Sequence, residues 1–595
     1  MALAETSVQR ARDVDLSRAP RIGAVFGIAV IFISAIGMVG TFATRSMIGS
    51  AFSLSRVLLA LLAFTAGYVA TQPPPQLEGY RVAEPSPRLV GVGSIAGAIA
   101  GAMLGLFAIL VDSISIRDIF VEFTPELVGI LTFEQGTGLG FLLLLLLGSA
   151  LGAAGGAVRL MSARIRRALF AAIGWTLGLA LLQILFTQIF NSLQLDFLTR
   201  LLYRGASGGL SVTSAPAVAV ALFLIAYAGQ GRVKKAVTGF RGLQGEAQRK
   251  ATVAGMAVLL IILGALPHVL GNFLSSAMDI AGTFLLMALG LNIVIGFAGL
   301  LDLGYVAFFA VGAYTTSVLT STSGPAFSPE LTFWTALPFV MMAAALAGLL
   351  VGTPVLRMRG DYLAIVTLGF GEIARLITLS DWQASTLGGA QGIANVPPIP
   401  VGPWNLVEAQ EFFYIIFGFV LLFAYITYAL QASRMGRAWN AMREDQAVAE
   451  AMGVNIVAAK LWAFVLGAIM ASLGGAMFAH RVGTVFPHSF NIIVSITVVV
   501  IVIVGGMGSV PGVIVGALVL VGLPELLREF EEFRFLLYGV VLIFMMLKRP
   551  EGFIPSRRRQ REIHEDEVAQ DAWLRAETER QREEEAAGST GPERT

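Results

Sequence analysis

Three groups of ionisable residues in this chain could do chemistry. Glu372 and Arg375 lie three residues apart inside an apolar run. On a helix that spacing puts them on one face. A carboxylate beside a guanidinium can meet the two ends of a zwitterion, or the two can neutralise each other so that both tolerate burial. Asp302 lies at a glycine-rich break, Gly296 to Gly304, also within apolar sequence. Carboxylates inside spans are functional candidates by default. Counting spans puts Asp302 near a membrane boundary, where an acid costs little and serves as a local helix cap. The third group lies in RMGRAWNAMREDQAVAEAMG, Arg434 to Gly453, a charged helical segment between two membrane-length apolar stretches. A short charged helix exposed in the middle of a membrane chain is a docking element. Glu444, Asp445 and Glu450 fall on its exposed side, and Gly453 allows a tight exit turn. The plain alternative is an ordinary amphipathic loop.

Much chemistry is excluded. There is no cysteine, so disulfides and thiolate metal sites are ruled out. The lysines, at 234, 235, 250, 460 and 548, never follow a glycine. No P-loop is therefore present, and ATP hydrolysis is not expected of this chain. His268, His480, His488 and His564 have no metal-ligand spacing. No nucleophile elbow or catalytic triad stands out. Gly505, Gly506, Gly508 and Gly512 make the backbone permissive, for close helix packing or for a hinge. Without a lysine they are no phosphate cradle.

These residues must be held by membrane helices. The chain has 595 residues, 56% hydrophobic and 13% charged, against about 25% charged in soluble domains. A span needs roughly 20 apolar residues. By that measure spans are predicted near 22–44, 52–72, 89–111, 138–158, 168–190 and 212–230. A basic linker, Gly231 to Lys250, follows. Beyond it spans are predicted near 252–271, 275–297, 303–321, 332–354, 361–379, 411–432, 458–480, 489–506, 510–524 and 533–547. The polar, Arg-rich first 21 residues read as an uncleaved start rather than a signal peptide.

Positive charge sets the expected orientation. With the N-terminus inside, the Arg-rich loop 159–167, the linker, Arg357 and Arg359, the segment Arg434 to Arg443 and the C-terminal Lys548 and Arg549 all become cytoplasmic. Loops 112–137 and 381–410 fall outside; the outer loop 191–211, with two Arg, fits least well. The Glu/Arg-dense tail reads as solvated chain. Net charge of +2 implies no nucleic-acid partner.

From about Met287 to Pro555 the chain resembles the branched-chain amino-acid ABC permease family of the LivM type. Four blocks carry this, in order: Gly290-Leu-Asn-Ile-Val-Ile-Gly-Phe-Ala-Gly-Leu-Leu-Asp302-Leu-Gly304-Tyr305; Leu356-Arg-Met-Arg-Gly-Asp-Tyr-Leu-Ala-Ile-Val-Thr-Leu-Gly-Phe-Gly-Glu372; the charged segment with Arg443-Glu444-Asp445; and Gly505-Gly-Met-Gly-Ser with Arg549-Pro-Glu-Gly. In such permeases the charged segment is a cytoplasmic coupling loop, in which a Glu-Ala pair precedes a glycine; here it reads Glu450-Ala451-Met452-Gly453. One departure is in the outer loop. The family's Thr-Gly-Gly is Leu387-Gly388-Gly389 here, with Thr386 one residue earlier.

The resemblance implies an all-α polytopic bundle with an ABC-importer permease core over 251–555; outside it, the apolar runs and charge give an extra N-terminal bundle over 1–230, the linker 231–250 and a cytoplasmic tail 556–595. It implies a coupling surface at Arg443, Glu444, Asp445, Glu450, Ala451 and Gly453, and a substrate path touching Asp302, Gly304, Tyr305, Glu372, Arg375, Gly388 and Gly389. It implies two ATPase subunits that use the ATP, no cofactor on this chain, a second related permease, an extracytoplasmic binding protein and a bacterial plasma membrane. A urea or short-amide permease shares much of this pattern. An ion-coupled transporter or channel would need paired intramembrane ionisables and no docking helix, and only Glu372 with Arg375 fits that. An enzyme or scaffold built on the N-terminal bundle lacks clustered catalytic residues.

Overall fold

The structure is a computed structural model that describes residues 18–49, 52–72, 87–114, 120–203, 208–230, 245–322, 327–355, 358, 361–526, 533–549 and 551–556. Most of the expected linker, and the tail beyond 556, lie outside the described residues. The chain forms two compact units, Met1–Ala265 and Leu266–Thr595.

In the first unit the six apolar runs become helices. The principal ones are α1 (Arg18–Ala35), α2 (Leu54–Ala70), α3 (Arg88–Ser113), α4 (Thr137–Leu160), α5 (Ala163–Leu181), α6 (Gln183–Ser192) and α7 (Ser214–Gly229). The run expected as one span near 168–190 is broken, with α5 and α6 bent by 76°. Beyond the break the sequence turns polar, with Gln183, Thr187, Gln188 and Asn191, and such a stretch does not continue a lipid-facing helix. α3 and α4 meet through glycine. A Cβ at Gly97 would come 2.0 Å from the Gly148 carbonyl oxygen, and one at Gly152 2.2 Å from that of Gly93. In lipid, where burial of apolar surface gives no drive, such close backbone approach is what holds helices together. Two sets of contacts tie the described loops of this unit. In one, Gln230 donates to the Arg164 carbonyl (2.8 Å) and the Arg159 guanidinium lies over Tyr68. In the other, β1 (Ser46–Ile48) pairs with β2 (Phe52–Ser53), and Ile48 bridges to Leu210.

The second unit takes up α8 (Gly245–Leu291), α9 (Val306–Thr320), α10 (Phe333–Val355), α11 (Asp361–Leu379), α12 (Ala409–Ala432), α13 (Arg434–Glu444), α14 (Gln446–Ala451), α15 (Ile456–Val482), α16 (Ile492–Gly505), α17 (Val510–Ala517) and α18 (Arg534–Lys548). The spans expected near 252–271 and 275–297 are two helices that meet within α8 at a sharp break. Pro267 removes a backbone donor, and Gly271 takes a non-helical φ of 71°. α8 ends in a π-helical turn, Asn292–Phe297. The unit's boundary at Leu266 thus falls within α8, downstream of the residue 251 expected from the linker.

Buried side chains of this unit concentrate on α8 beyond the kink, α9, α15 and α16. α9 and α15 approach through small residues on both sides. A Cβ at Gly312 would lie 1.9 Å from the Ser472 carbonyl oxygen, and one at Gly475 2.0 Å from that of Phe309. Ser472 Oγ then donates to the Phe308 carbonyl at 2.6 Å. α10, α11 and α12 leave much of their apolar surface exposed, including Leu350, Ile365, Ile373 and Tyr425. Between α11 and α12, β3 (Ile399–Val401) and β4 (Trp404–Leu406) form a hairpin. Ile393 just before it bridges to Val485 beyond α15. Among the described residues, nine helices are long and apolar enough to cross a membrane.

Candidate coupling and translocation site

The charged segment folds as two helices rather than one. Ser433 caps α13 by accepting the Gly436 N–H at 3.2 Å. Asp445 leaves helical geometry and caps α14, its Oδ1 accepting from Ala447 (2.8 Å) and Val448 (3.0 Å). A short acid that bonds the backbone ahead of it starts a new helix more readily than it continues an old one. Asp445 is therefore a structural cap. Trp439 anchors α13: it is fully buried, and its indole N–H donates to the Ala459 carbonyl at 2.7 Å. Met442 is buried with it.

What remains turned outward is α14 with its exit. Glu444, Glu450, Ala451 and Gly453 are exposed, and Gly453 has the positive φ (86°) expected of a tight turn. Two apolar residues join them that charge-based reading passed over. Val448 is 60% and Met452 81% exposed, four residues apart on one face. This short helix thus projects two apolar side chains beside the exposed Glu450. Arg443 does not belong to that outward face: its guanidinium turns into the bundle, Nη1 donating to the Gly296 carbonyl at 2.6 Å.

Asp302 is not at a solvated boundary. It is buried in the turn between α8 and α9, where Oδ1 accepts the Gly304 N–H at 3.0 Å. Asp302 thus braces the turn rather than capping a helix, since α9 has Tyr305 at its N-cap and no side-chain cap bond. The cause is α11, which lies directly against the turn: Leu303 N–H donates to Thr367 Oγ1 at 3.1 Å. Tyr305 is likewise buried, its hydroxyl donating to the Gly467 carbonyl at 2.7 Å, and Val306 N–H reaches Ser495 Oγ at 2.8 Å. The turn therefore ties α8, α9, α11, α15 and α16 together. Gly304 and Tyr305 are part of that joint rather than of an open path.

Glu372 and Arg375 pair as the spacing predicted, Arg375 Nε lying 3.0 and 3.1 Å from the two carboxylate oxygens. The pair is partly exposed, with side chains 44% and 24% accessible for Glu372 and Arg375. It sits near the middle of α11, on the face turned away from this unit's own core. Gly388 and Gly389 shape the loop that follows α11. Both have positive φ, and a Cβ at Gly388 would lie 1.9 Å from the Gly392 carbonyl oxygen. Thr386 does not replace the missing Thr-Gly-Gly hydroxyl, because its Oγ1 is engaged with Gln383. His480 is buried against Thr316 Oγ1 (3.1 Å) and the Pro397 carbonyl (2.6 Å). Among the described residues, no group of three or more potential metal ligands gathers.

Broken helices around a buried joint, with one short charged helix turned outward, are the features of a polytopic membrane bundle. The family described as "Branched-chain amino acid transport system / permease component" matches residues 273–547. The permease protein LivM of Escherichia coli (strain K12), of a high-affinity branched-chain amino acid transport system, is 37% identical over 328 residues, covering 51% of this chain and 75% of that protein. The permease protein LivH of Salmonella typhimurium is 23% identical, covering 47% of this chain and 93% of LivH. The probable LivM of Methanocaldococcus jannaschii is 22% identical, covering 46% and 91%. No solved structure matches the chain. The chain belongs to the branched-chain amino acid transport permease family, and is a permease subunit of an ABC importer.

Proposed function

We propose that this subunit forms one half of a membrane path for branched-chain amino acids in a bacterial plasma membrane. Its N- and C-termini face the cytoplasm, and a second related permease supplies the other half. Two separate ATPase subunits bind and use the ATP. One of them seats α14 in a groove, and an extracytoplasmic binding protein delivers the amino acid. Membrane lipid surrounds the remaining helix faces. The observation that carries this reading is the outward face of α14, with Val448, Glu450 and Met452 exposed on a segment anchored by the buried Trp439 and Met442.

The path itself is assigned to the outer face of α11. Ionisable residues within spans face protein or water rather than lipid. Glu372 and Arg375 are half open in the isolated chain, so in the assembled importer that face meets the second permease across an aqueous cleft. An ion pair there offers a carboxylate to an ammonium and a guanidinium to a carboxylate. Its neighbours Ile365, Ile373 and Leu376 are apolar and exposed, which suits an aliphatic side chain.

Two measurements test this. In the reconstituted complex, Arg375→Gln is expected to lower leucine uptake about tenfold, equivalent to about 1.4 kcal/mol, while assembly is kept. A lone cysteine at Ile373, in a chain that has none of its own, is expected to react with a water-soluble thiol reagent and to be protected by leucine. Wild-type uptake together with an unreactive cysteine would place the path elsewhere.

A further inference from the structure

We infer that Arg443 is the joint through which motion of the docking helix reaches the broken spans. This rests on reading α14 as the ATPase-docking element, and it assigns Arg443 a role distinct from docking.

The geometry is a closed ring of contacts among helix ends. At the end of α8 the carbonyls of Ile293, Val294 and Ile295 accept from the N–H groups of Ala298, Leu300 and Gly299. The Gly296 carbonyl accepts from Arg443 Nη1 instead. A guanidinium at the C-terminal end of a helix both satisfies an orphan carbonyl and sits at the negative pole of the helix dipole. The stem of Arg443 lies on Gly299, which has a φ of 72° and where a Cβ would come 2.6 Å from Arg443 Cγ. That approach needs glycine on both counts.

One helical turn before Gly296, the buried Asn292 faces the second break. Its Oδ1 accepts the Gly508 N–H at 2.8 Å, in the turn between α16 and α17. The Gly508 carbonyl in turn accepts from Gln431 Nε2 at 3.2 Å. Gln431 ends α12, which runs straight into α13 and so back to Arg443. α13 is held as a lever by Trp439. A pull on α14 therefore moves Arg443, and with it the ends of α8 and α16 together. Contiguous hydrogen bonds between elements with two arrangements are the physical basis of such coupling.

The test uses the full complex in proteoliposomes, with its ATPases and binding protein, and compares wild type, Arg443→Ala, Arg443→Lys and Gln431→Ala. Co-purification of the ATPases reports on docking. The rise in ATP hydrolysis on adding leucine-loaded binding protein, and leucine uptake per ATP, report on the joint. Arg443→Ala is expected to assemble normally but lose at least tenfold in uptake per ATP, with hydrolysis no longer responding to the loaded binding protein. Arg443→Lys, which keeps a donor at the helix end, is expected to recover part of both. Gln431→Ala, milder and at the edge of the ring, is expected to shift both in the same direction. Wild-type uptake per ATP in Arg443→Ala would overturn the proposal, as would loss of the ATPases from that variant, which would make Arg443 a docking contact. Should Arg443→Ala fail to insert, an unchanged stimulation ratio in Gln431→Ala overturns it.

Discussion

Met452→Asp is expected to strip the ATPase subunits from the purified complex while leaving this chain at normal abundance in the membrane. Met452 is the most exposed apolar residue of the docking segment, at 81%. Its replacement therefore removes no internal packing, and the chain's own stability should change by about 0.5 kcal/mol or less, as at ordinary surface sites. Seated in a groove, the same side chain contributes about 2 kcal/mol of apolar burial, and an unpaired carboxylate in its place adds roughly 1–3 kcal/mol. The sum, about 3–5 kcal/mol, weakens assembly roughly 10²–10⁴-fold. Val448→Asp, one turn away on the same face, should do the same. Co-purification checks both, with the amount of this chain in the membrane fraction as the control. Retention of the ATPases at wild-type ratio by both variants would show that this face is not the docking surface.

Gly304→Val is expected to fail earlier, at folding. A Cβ there would lie 1.6 Å from the Thr367 carbonyl oxygen and 2.4 Å from its carbon. Those atoms are helix backbone, so no rotamer change relieves the clash and α11 has to move off the turn. Leu303 and Gly304 then lose their bonds to Thr367 and Asp302. Ordinary overpacking costs about 1–3 kcal/mol. With two buried donors also left unpaired, each at roughly 1–3 kcal/mol, the total is about 4 kcal/mol or more. That is a large share of a membrane domain's stability. The readout is the melting temperature of the detergent-purified chain, or its yield in the membrane. Gly369→Val, on the same helix where a Cβ meets nothing within 4 Å, is the matched control and should melt like wild type. Equal melting of the Gly304 and Gly369 variants would refute the joint.

The helices of this fold were legible because a span leaves a long one-sided mark in composition. α12, read from the sequence as 411–432, is Ala409–Ala432, and α11 is found over the residues expected, Asp361–Leu379. Breaks within apolar sequence were harder. The run Gln183–Gln188 and the Pro267–Gly271 pair were visible as letters. Hydropathy averages over a window and so passed across the first, whereas the second coincides with the expected division between the spans 252–271 and 275–297. The split at Asp445 could have been read from a cap residue followed by Gln-Ala-Val, a helix start rather than a helix interior.

The site was legible in part. Glu372 with Arg375 followed from helix geometry alone. The burial of Asp302 did not, since it is imposed by Thr367 on another helix. Nor did the bond from Asn292 to Gly508, because no local pattern marks a partner more than 200 residues away. Arg443 was expected on the coupling surface through the resemblance, which does not say which way its side chain turns. Its turn inward depends on Gly299 giving way beneath it. Val448 and Met452 were missed because apolar letters read as core.

The measurement that bears most directly on the docking claim is crosslinking from a single cysteine placed at Glu450. The wild-type chain has no cysteine, and Glu450 is exposed at the tip of α14, so the label reports one place. In membranes carrying the whole importer, a short bis-maleimide is expected to join this chain to an ATPase subunit bearing a cysteine in its groove. An impermeant thiol reagent should reach the residue from the cytoplasmic side only, and less readily when the ATPases are bound. Labelling from the outside, or cytoplasmic labelling that the ATPases neither slow nor convert into a crosslink, would contradict the assignment of α14 as the point of coupling.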